Sequence, residues 1–146
     1  MLRVQDWMTV EPIAISAGAS VAEARARMEH HDIRRLLVHR DSGELAGIVT
    51  WGDVAEAWPS PFSLLDSGEV RAMMESILVD EIMTTDLVVA DPETTLAEAA
   101  SLMFEHRVGA LPVVKDGKAI GILTSSDILQ GLVRILVHPG LAESHD

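Results

Sequence analysis

The sequence predicts a mixed fold of helices and strands, α/β (α+β). Two β-α-β-β-α repeats are expected to pack sheet to sheet about a pseudo-two-fold axis. A chain of 146 residues is long enough to bury one shared core. The apolar fraction is 48%, but only 3% of the residues are aromatic, so that core must be built from aliphatic side chains. The chain also repeats itself, and a single repeat could not cover its own sheet.

The internal repeat consists of identical residues at matching places in the two halves of the chain. A gap of one residue, at Ser42, keeps the second half in register. The matching residues are Met8-Thr9 with Met83-Thr84, Ala22-Glu23-Ala24 with Ala97-Glu98-Ala99, Met28 with Met103, and Gly43, Gly47, Ile48, Thr50 and Asp53 with Gly117, Gly121, Ile122, Thr124 and Asp127.

Each copy opens with a short extended run, at residues 13–15 and 87–89, followed by a helix. The helix start is indicated by Ser20 with Glu23, and by Thr95 with Glu98, because an S/T-x-x-E capping box satisfies free amides there. Apolar residues then recur at helical spacing, so we expect the methionines on this face to fill the core.

Two strands and a second helix complete each copy. Asp116-Gly117, between two apolar runs, is a strong hairpin signal. The second helix is expected directly after Thr50 or Thr124. The predicted strands are 36–39, 45–49, 111–114 and 119–123.

These patterns divide the chain into four parts. The first repeat spans residues 1–57, and a linker with a short helix spans 58–78, where prolines interrupt the preceding pattern. The second repeat spans residues 79–137. A flexible tail is expected over 138–146, since Pro139 and Gly140 end the last helix.

Charge and composition exclude several classes of function. The net charge of −12 disfavours nucleic acid polymers as partners, and no apolar run is long enough for a membrane span. The absence of cysteine removes thiolate chemistry and makes the cytoplasm the expected location. The histidines lack metal-ligand spacing, and motifs for hydrolase, kinase or dehydrogenase chemistry are missing. We therefore expect no enzyme, no catalytic residue, no metal and no cofactor.

The most informative chemistry lies where a strand ends and the second helix of each copy begins. There Thr50 is followed by Asp53, and Thr124 by Asp127. Free amides and a hydroxyl make a polar niche, and the carboxylate can accept hydrogen bonds from two vicinal hydroxyls, such as those of a ribose. Alternatively, the two aspartates only cap their helices.

The motif G-h-h-T-x-x-D-h closes each copy and V-x-x-h-M-T opens it, at Val4–Thr9 and Val79–Thr84. Together they resemble a tandem pair of CBS domains covering nearly the whole chain. The linker, with Pro59-Ser-Pro61, is similar to that of small stand-alone CBS-pair proteins of the bacterial acetoin-utilisation type.

The resemblance implies a regulatory or sensor module that binds AMP, ADP, ATP or S-adenosylmethionine in the cleft between the repeats. It also implies a homodimer and a regulated partner protein that the sequence does not identify. Asp53 and Asp127 would accept the ribose hydroxyls, with Thr50 and Thr124 beside them. The adenine would be sandwiched by apolar residues of the first and second strands, namely Ile13 and Leu37 in one copy and Val88 and Pro112 in the other. The alternative is a ligand-free or ion-binding dimerisation scaffold that acts through protein contacts.

The two copies differ in their cations. Arg34 and Arg35 precede the second strand of the first copy, whereas Gly109-Ala110 stands at this place in the second. Because a guanidinium matches phosphate oxygens, we expect one phosphate position, at these arginines. The arginines could instead be solvated or pair with Asp32 and Asp41, and Arg107 could serve the second copy.

The copies differ again where the first has Trp51 and the second has Ser125. The indole could stack on a base or fill the cleft.

Overall fold

The structure is a computed structural model that describes residues 2–138 and 140. Seven helices and six strands occur in these residues. They are, in chain order, α1 (Val4–Trp7), β1 (Thr9–Val10), β2 (Ala14–Ser16), α2 (Val21–His31), β3 (Arg35–His39), β4 (Leu45–Thr50), α3 (Trp51–Ala57), α4 (Ser67–Ser76), α5 (Val79–Ile82), α6 (Leu96–His106), β5 (Ala110–Lys115), β6 (Lys118–Thr124) and α7 (Ser125–Val137). The predicted tail lies outside the described residues, apart from His138 and Gly140.

The chain forms two compact units whose bounds differ from those of the sequence repeats. One unit comprises residues 13–87, and the other combines residues 1–12 with residues 88 onward. The opening segment of each copy therefore folds with the other copy: α1 belongs to the unit of the second copy, and α5 to that of the first.

The unit of residues 13–87 contains a three-stranded sheet in the order β2-β3-β4. Strand β2 runs parallel to β3, and β3 runs antiparallel to β4. Met28 is 1% exposed, which confirms that it fills the core. The buried cluster of this unit is Ile15, Val21, Ala24, Met28, Leu36, Val38, Ala46, Val49, Val54, Met74 and Val79.

The other unit contains a sheet in the order β1-β6-β5, with antiparallel neighbours. Its cluster is smaller, and Met103 belongs to it as predicted. The buried members are Val4, Ala90, Ala99, Met103, Leu111, Val113 and Leu123.

The predicted extended run at 87–89 forms no strand, which corrects that expectation. Only the next residue, Ala90, bridges to Val113, through hydrogen bonds from its amide to the Pro112 carbonyl and from the Val114 amide to its own carbonyl, both of 2.9 Å. Pro112 has no amide hydrogen, so the ladder cannot continue toward Val88. In the first copy, Leu37 stands at this place and the full strand β2 forms.

The predicted helix starts and hairpin are confirmed. Ser20 Oγ accepts a hydrogen bond from the Glu23 amide at 3.1 Å, and Thr95 Oγ1 accepts one from the Glu98 amide at 3.2 Å. Asp116 and Gly117 both have positive φ angles, 52° and 80°, as a two-residue type I′ turn requires.

Candidate functional site

The end of β4 and the start of α3 form a reciprocal pair of hydrogen bonds. Thr50 Oγ1 accepts from the Asp53 amide at 3.1 Å, and Asp53 Oδ2 accepts from the Thr50 amide at 2.8 Å. This Thr–Asp box is a capping box, so Asp53 has the capping role that one of the two sequence interpretations gives it.

The second copy has the same Thr–Asp box. Thr124 Oγ1 accepts from the Asp127 amide at 3.1 Å, and Asp127 Oδ2 accepts from the Thr124 amide at 2.9 Å. Thr9 Oγ1 also lies 3.5 Å from Asp127 Oδ1, at the outer limit of a hydrogen bond. The two copies thus hold their carboxylates in nearly the same way.

Capping leaves each carboxylate with acceptor capacity. An ionised carboxylate has about four lone-pair sites, and the backbone amide uses one of them. Asp53 Oδ1 accepts no hydrogen bond from any described residue, and Asp53 and Asp127 are both half-buried. Each box therefore fixes the orientation of a carboxylate whose other oxygen can accept from a hydroxyl group.

The same end of the β3–β4 hairpin carries the two arginines. Arg35 lies opposite Thr50 in the register, and the Trp51 amide donates to the Arg34 carbonyl at 2.8 Å. Arg34 is exposed and Arg35 is half-buried. Within residues 2–138, neither guanidinium forms an ion pair. The alternative pairing with Asp32 and Asp41 is therefore not seen among the described residues, and Arg34 is open to solvent.

The hairpin end of the other unit repeats this backbone arrangement without the cations. Ala110 lies opposite Thr124, and the Ser125 amide donates to the Gly109 carbonyl at 2.9 Å. Arg107 lies two residues before Gly109, exposed, with a left-handed φ of 55° at the end of α6. Arg34 and Arg35 therefore have no counterpart at the hairpin end of the second copy.

The four apolar residues expected to sandwich the adenine lie on or beside strands, where successive side chains point to opposite faces of the sheet. They are Ile13 and Leu37 in one unit and Val88 and Pro112 in the other. Leu36 and Val38 belong to the buried cluster, so Leu37 between them points to the opposite face of the sheet, where it is 2% exposed. Leu37 pairs with Ala14, next to Ile13, which is 37% exposed. In the other unit, Pro112 is buried between two cluster residues, and Val88 is half-buried.

The opening and closing motifs meet at a glycine, which the sequence did not predict. A Cβ on Gly47 would lie 2.6 Å from the Thr84 carbonyl oxygen and 2.8 Å from Met83 Sδ. A Cβ on Gly121 would lie 2.5 Å from Met8 Sδ and 2.9 Å from the Thr9 carbonyl oxygen. Only glycine allows these backbones to approach so closely.

The described residues contain no group of three histidine, aspartate or glutamate side chains placed to hold a metal ion. In the same part of the chain, no helix is both long and apolar enough to cross a membrane.

The family model for the CBS domain matches the chain twice, over residues 4–60 and 79–134. These matches include the opening motifs, the closing motifs and both Thr–Asp boxes. The chain therefore belongs to the CBS domain family, as a tandem pair.

Solved structures agree with this assignment. A structure of a putative acetoin utilization protein (AcuB) from Vibrio cholerae has a TM-score of 0.79 and 29% identity, and the match covers 100% of this chain and 99% of that one. CBSX2 in complex with AMP has a TM-score of 0.77 and 27% identity, with 93% and 99% covered. The CBS domain pair of protein MJ0100, in complex with 5′-methylthioadenosine and S-adenosyl-L-methionine, has a TM-score of 0.73 and 26% identity, with 91% and 97% covered.

Among curated proteins, the chain is 36% identical over 135 residues to a homoserine O-acetyltransferase of Methanocorpusculum labreanum. This match covers 88% of the chain but only 25% of the enzyme. A second relative, the uncharacterized protein MJ1404 of Methanocaldococcus jannaschii, is 33% identical and is covered over 31% of its length. The chain thus spans about a quarter to a third of these two relatives.

Proposed function

We propose that this CBS pair is a non-catalytic regulatory module that binds an adenosine nucleotide, AMP, ADP or ATP, at its Thr–Asp boxes. The observation that carries the proposal is the duplicated, half-buried carboxylate, which a backbone amide orients in each copy; its second oxygen has no described partner in Asp53 and only the long contact from Thr9 Oγ1 in Asp127. A ribose presents two vicinal hydroxyls, and both can donate to one such carboxylate.

Phosphate recognition is assigned to Arg34 and Arg35. A net charge of −12 repels an anion from most of the surface, so a phosphate requires a local cation. The register places Arg35 opposite Thr50, and no acid among the described residues neutralises either guanidinium. The box of the second copy lacks such cations, and we assign it to a weaker site or to an adenosine compound without a phosphate.

The base would lie against the apolar residues of each unit, Ile13 and Leu37 in one and Val88 and Pro112 in the other. Ile13 is exposed enough to be covered by a ligand, and it lies beside the partner of Leu37 on the neighbouring strand. Aliphatic side chains can pack on both faces of a flat purine without hydrogen-bonding to it.

The ligands named for two similar structures support the class of compound. AMP is named for CBSX2, and 5′-methylthioadenosine and S-adenosyl-L-methionine for MJ0100. All three contain adenosine, and the last two carry no phosphate. S-adenosylmethionine is therefore the second ligand to test, and the box without arginines is where we expect it.

Thermal unfolding with AMP, ADP, ATP and S-adenosylmethionine tests this proposal, with GMP as the matched control. A ligand at a hundred times its dissociation constant stabilises the folded state by about 2.7 kcal/mol. We expect a higher melting temperature with at least one adenosine compound and a smaller shift with GMP. If no adenosine compound changes the melting temperature, the nucleotide proposal is wrong.

A dimerisation scaffold is the second candidate, and one observation favours it. Helix α7 exposes an apolar stripe at helical spacing, which we call the α7 stripe. Its members are Leu129, Leu132, Val133, Leu136 and Val137, between 47% and 72% exposed. Asp127 and Arg134 are the charged residues of this helix, and their charges cancel.

We propose a second copy of this chain as the occupant of the α7 stripe. Two copies that each carry a net charge of −12 repel one another. A contact between them is therefore more favourable on a surface without net charge, and the surface of α7 has none. The homodimer is compatible with nucleotide binding, whereas a pure scaffold would form it without binding any nucleotide. Light scattering and the thermal assay together separate the two functions.

The cytoplasmic location and the regulated partner protein remain predictions. Cell fractionation tests the location, and nucleotide-dependent co-purification tests the partner.

A further inference from the structure

A cavity of about 300 Å³ lies on the helical side of the unit of residues 13–87, and the Thr–Asp box does not line it. It is formed by α2, by α3 and by the segment that follows α3. Its principal lining residues are Arg25, Trp51, Val54, Trp58, Pro59 and Pro61. We call this cavity the Trp pocket.

The Trp pocket combines two indoles with one guanidinium. The Arg25 guanidinium carbon lies 4.2 Å from the ring centre of Trp58 and 5.7 Å from that of Trp51, both within cation–π range. Arg25 Nε donates to Glu29 Oε1 at 3.1 Å. Its two terminal nitrogens donate to no acceptor in residues 2–138, so the outer edge of the fork can bind an anion.

The repeat shows that the fold does not require this pocket. The places of Arg25, Trp51 and Trp58 are taken by Ala100, Ser125 and Leu132 in the second copy. Two of the three tryptophans of the chain therefore converge with an arginine in one unit only. Such a concentration of large side chains is specific to the first copy, since the same backbone elements form without it in the second.

The positive charge of Arg25 narrows the classes of ligand that could bind beside the two tryptophans. Tryptophan faces suit a quaternary ammonium, but here a guanidinium already stacks on them and would repel a second cation. A nucleotide is disfavoured as well, because the lining has one hydroxyl, that of Ser60, and no carboxylate for ribose. A flat apolar ring with one negative group fits both the indoles and the free edge of Arg25.

We infer that the Trp pocket is a second ligand site, for a small planar aromatic carboxylate. The ring would stack within the indole and proline walls, and the carboxylate would bind the terminal nitrogens of Arg25. A volume of about 300 Å³ is at the lower end for small-molecule sites and suits one or two fused rings. This inference is independent of nucleotide binding at the Thr–Asp boxes.

Titration calorimetry with 2-naphthoate on the full chain tests the inference, with the neutral isostere 2-naphthamide as the comparison. We expect 2-naphthoate to bind roughly tenfold more tightly than the amide, because only the carboxylate forms charge-assisted hydrogen bonds. Equal affinities of the two compounds would contradict the role of Arg25. No binding of 2-naphthoate would overturn the site, and a second copy or a proline-rich segment would then be the better occupant.

Two variants and one matched control locate the binding. Arg25→Met should weaken 2-naphthoate roughly tenfold, whereas Arg71→Met should not, although Arg71 forms the same kind of ion pair, with Glu75 at 3.1 Å. Trp58→Leu introduces the residue of the other copy and should abolish binding. Unchanged affinity in both variants would overturn the site. If neither variant folds, the comparison of naphthoate with naphthamide on the unmodified chain decides.

Competition with AMP separates this inference from the proposed function. We expect saturating AMP to leave the affinity for 2-naphthoate unchanged. Displacement of 2-naphthoate by AMP would assign the Trp pocket to the nucleotide site and overturn a second site. If the protein binds 2-naphthoate but no adenosine compound, the Trp pocket is a ligand site and the proposed nucleotide function is wrong.

Discussion

The Asp53 carboxylate accepts a hydrogen bond from the Thr50 amide at 2.8 Å, while Thr50 Oγ1 accepts one from the Asp53 amide at 3.1 Å. The Asp53 side chain therefore completes the capping box at the start of α3 through one oxygen, and its other oxygen accepts no hydrogen bond from any described residue. Capping and ligand binding are thus compatible roles of one carboxylate. Experiments must separate them by substitutions that remove one role at a time.

Asp53→Asn and Asp53→Ala separate the two roles. The asparagine carbonyl can still accept from the Thr50 amide, so we expect nearly unchanged stability but weaker AMP binding, because an amide accepts ribose hydroxyls less strongly than a carboxylate. Alanine also removes the hydrogen bond from the Thr50 amide, although Thr50 still caps the helix, and should cost about 0.5–1.5 kcal/mol of unfolding free energy. Urea unfolding and calorimetry measure the two effects.

Glu69→Gln is the matched control, because Glu69 holds the corresponding place in the capping box of α4. It should leave AMP binding unchanged. Full AMP affinity in Asp53→Asn would show that Asp53 is only a cap.

Arg34 and Arg35 are predicted to distinguish AMP from adenosine. Replacing both by glutamine should weaken AMP roughly tenfold or more and leave adenosine unchanged, since each guanidinium contributes a charged hydrogen bond only to the phosphate. Calorimetry with both ligands measures this. Arg40→Gln is the control, because Arg40 is exposed in the hairpin turn. Two equivalent AMP sites in the unmodified chain would contradict the predicted asymmetry.

Gly47 and Gly121 are predicted to tolerate no larger side chain. An added Cβ would lie 2.6 Å from the Thr84 carbonyl oxygen in the first case and 2.5 Å from Met8 Sδ in the second. We expect Gly47→Ala and Gly121→Ala each to lower the unfolding free energy by about 1–3 kcal/mol. Gly52→Ala is the control, because its Cβ would meet no atom closer than 3.6 Å and alanine favours a helix. Equal stability of all three variants would refute the close approach.

The α7 stripe is predicted to hold the homodimer together. Leu132→Glu places a charge within the stripe, and two such charges at one interface should dissociate the dimer. Light scattering over a concentration series measures the mass. Leu64→Glu is the control, because Leu64 is fully exposed in the linker, far along the chain from α7. A monomer in the unmodified protein would contradict this assignment.

Asp66 is predicted to make the start of α4 sensitive to acid. The hydrogen bond from the Glu69 amide lowers the pKa of this exposed carboxyl below its usual range. A group whose pKa is lowered by folding stabilises the folded state above its unfolded pKa, and this contribution is lost as the pH falls through the folded pKa. Titration of the Asp66 carboxyl by NMR measures the shift. An unshifted pKa would contradict the cap.

The sequence predicted the local elements well, because their signals are local. The capping residues Ser20 and Thr95 and the turn at Asp116-Gly117 act over a few positions, and each forms as expected. The lost strand at 87–89 depends on the missing amide hydrogen of Pro112, which matters only once the two segments are known to pair. The proline is visible in the sequence, but its effect on the strand follows only when the pairing of the two segments in the folded protein is known.

The exchange of opening segments and the Trp pocket could not be predicted in this way. Met8 and Met83 stand at matching places in the repeat, yet nothing local indicates that each contacts the closing glycine of the other copy. Likewise, Arg25 and Trp58 are far apart in sequence, and their contact depends on how α2 packs against α3. Sequence patterns indicated which residues matter but not which of them meet.

Nucleotide binding at the two Thr–Asp boxes is tested by calorimetric titration of AMP into the unmodified chain and into the double variant Asp53→Asn, Asp127→Asn. We expect the unmodified chain to bind AMP at one phosphate-dependent site and the folded double variant to lose most of this affinity. Equal AMP affinity in the two proteins, or no binding to the unmodified chain at millimolar AMP, would contradict nucleotide binding at the Thr–Asp boxes.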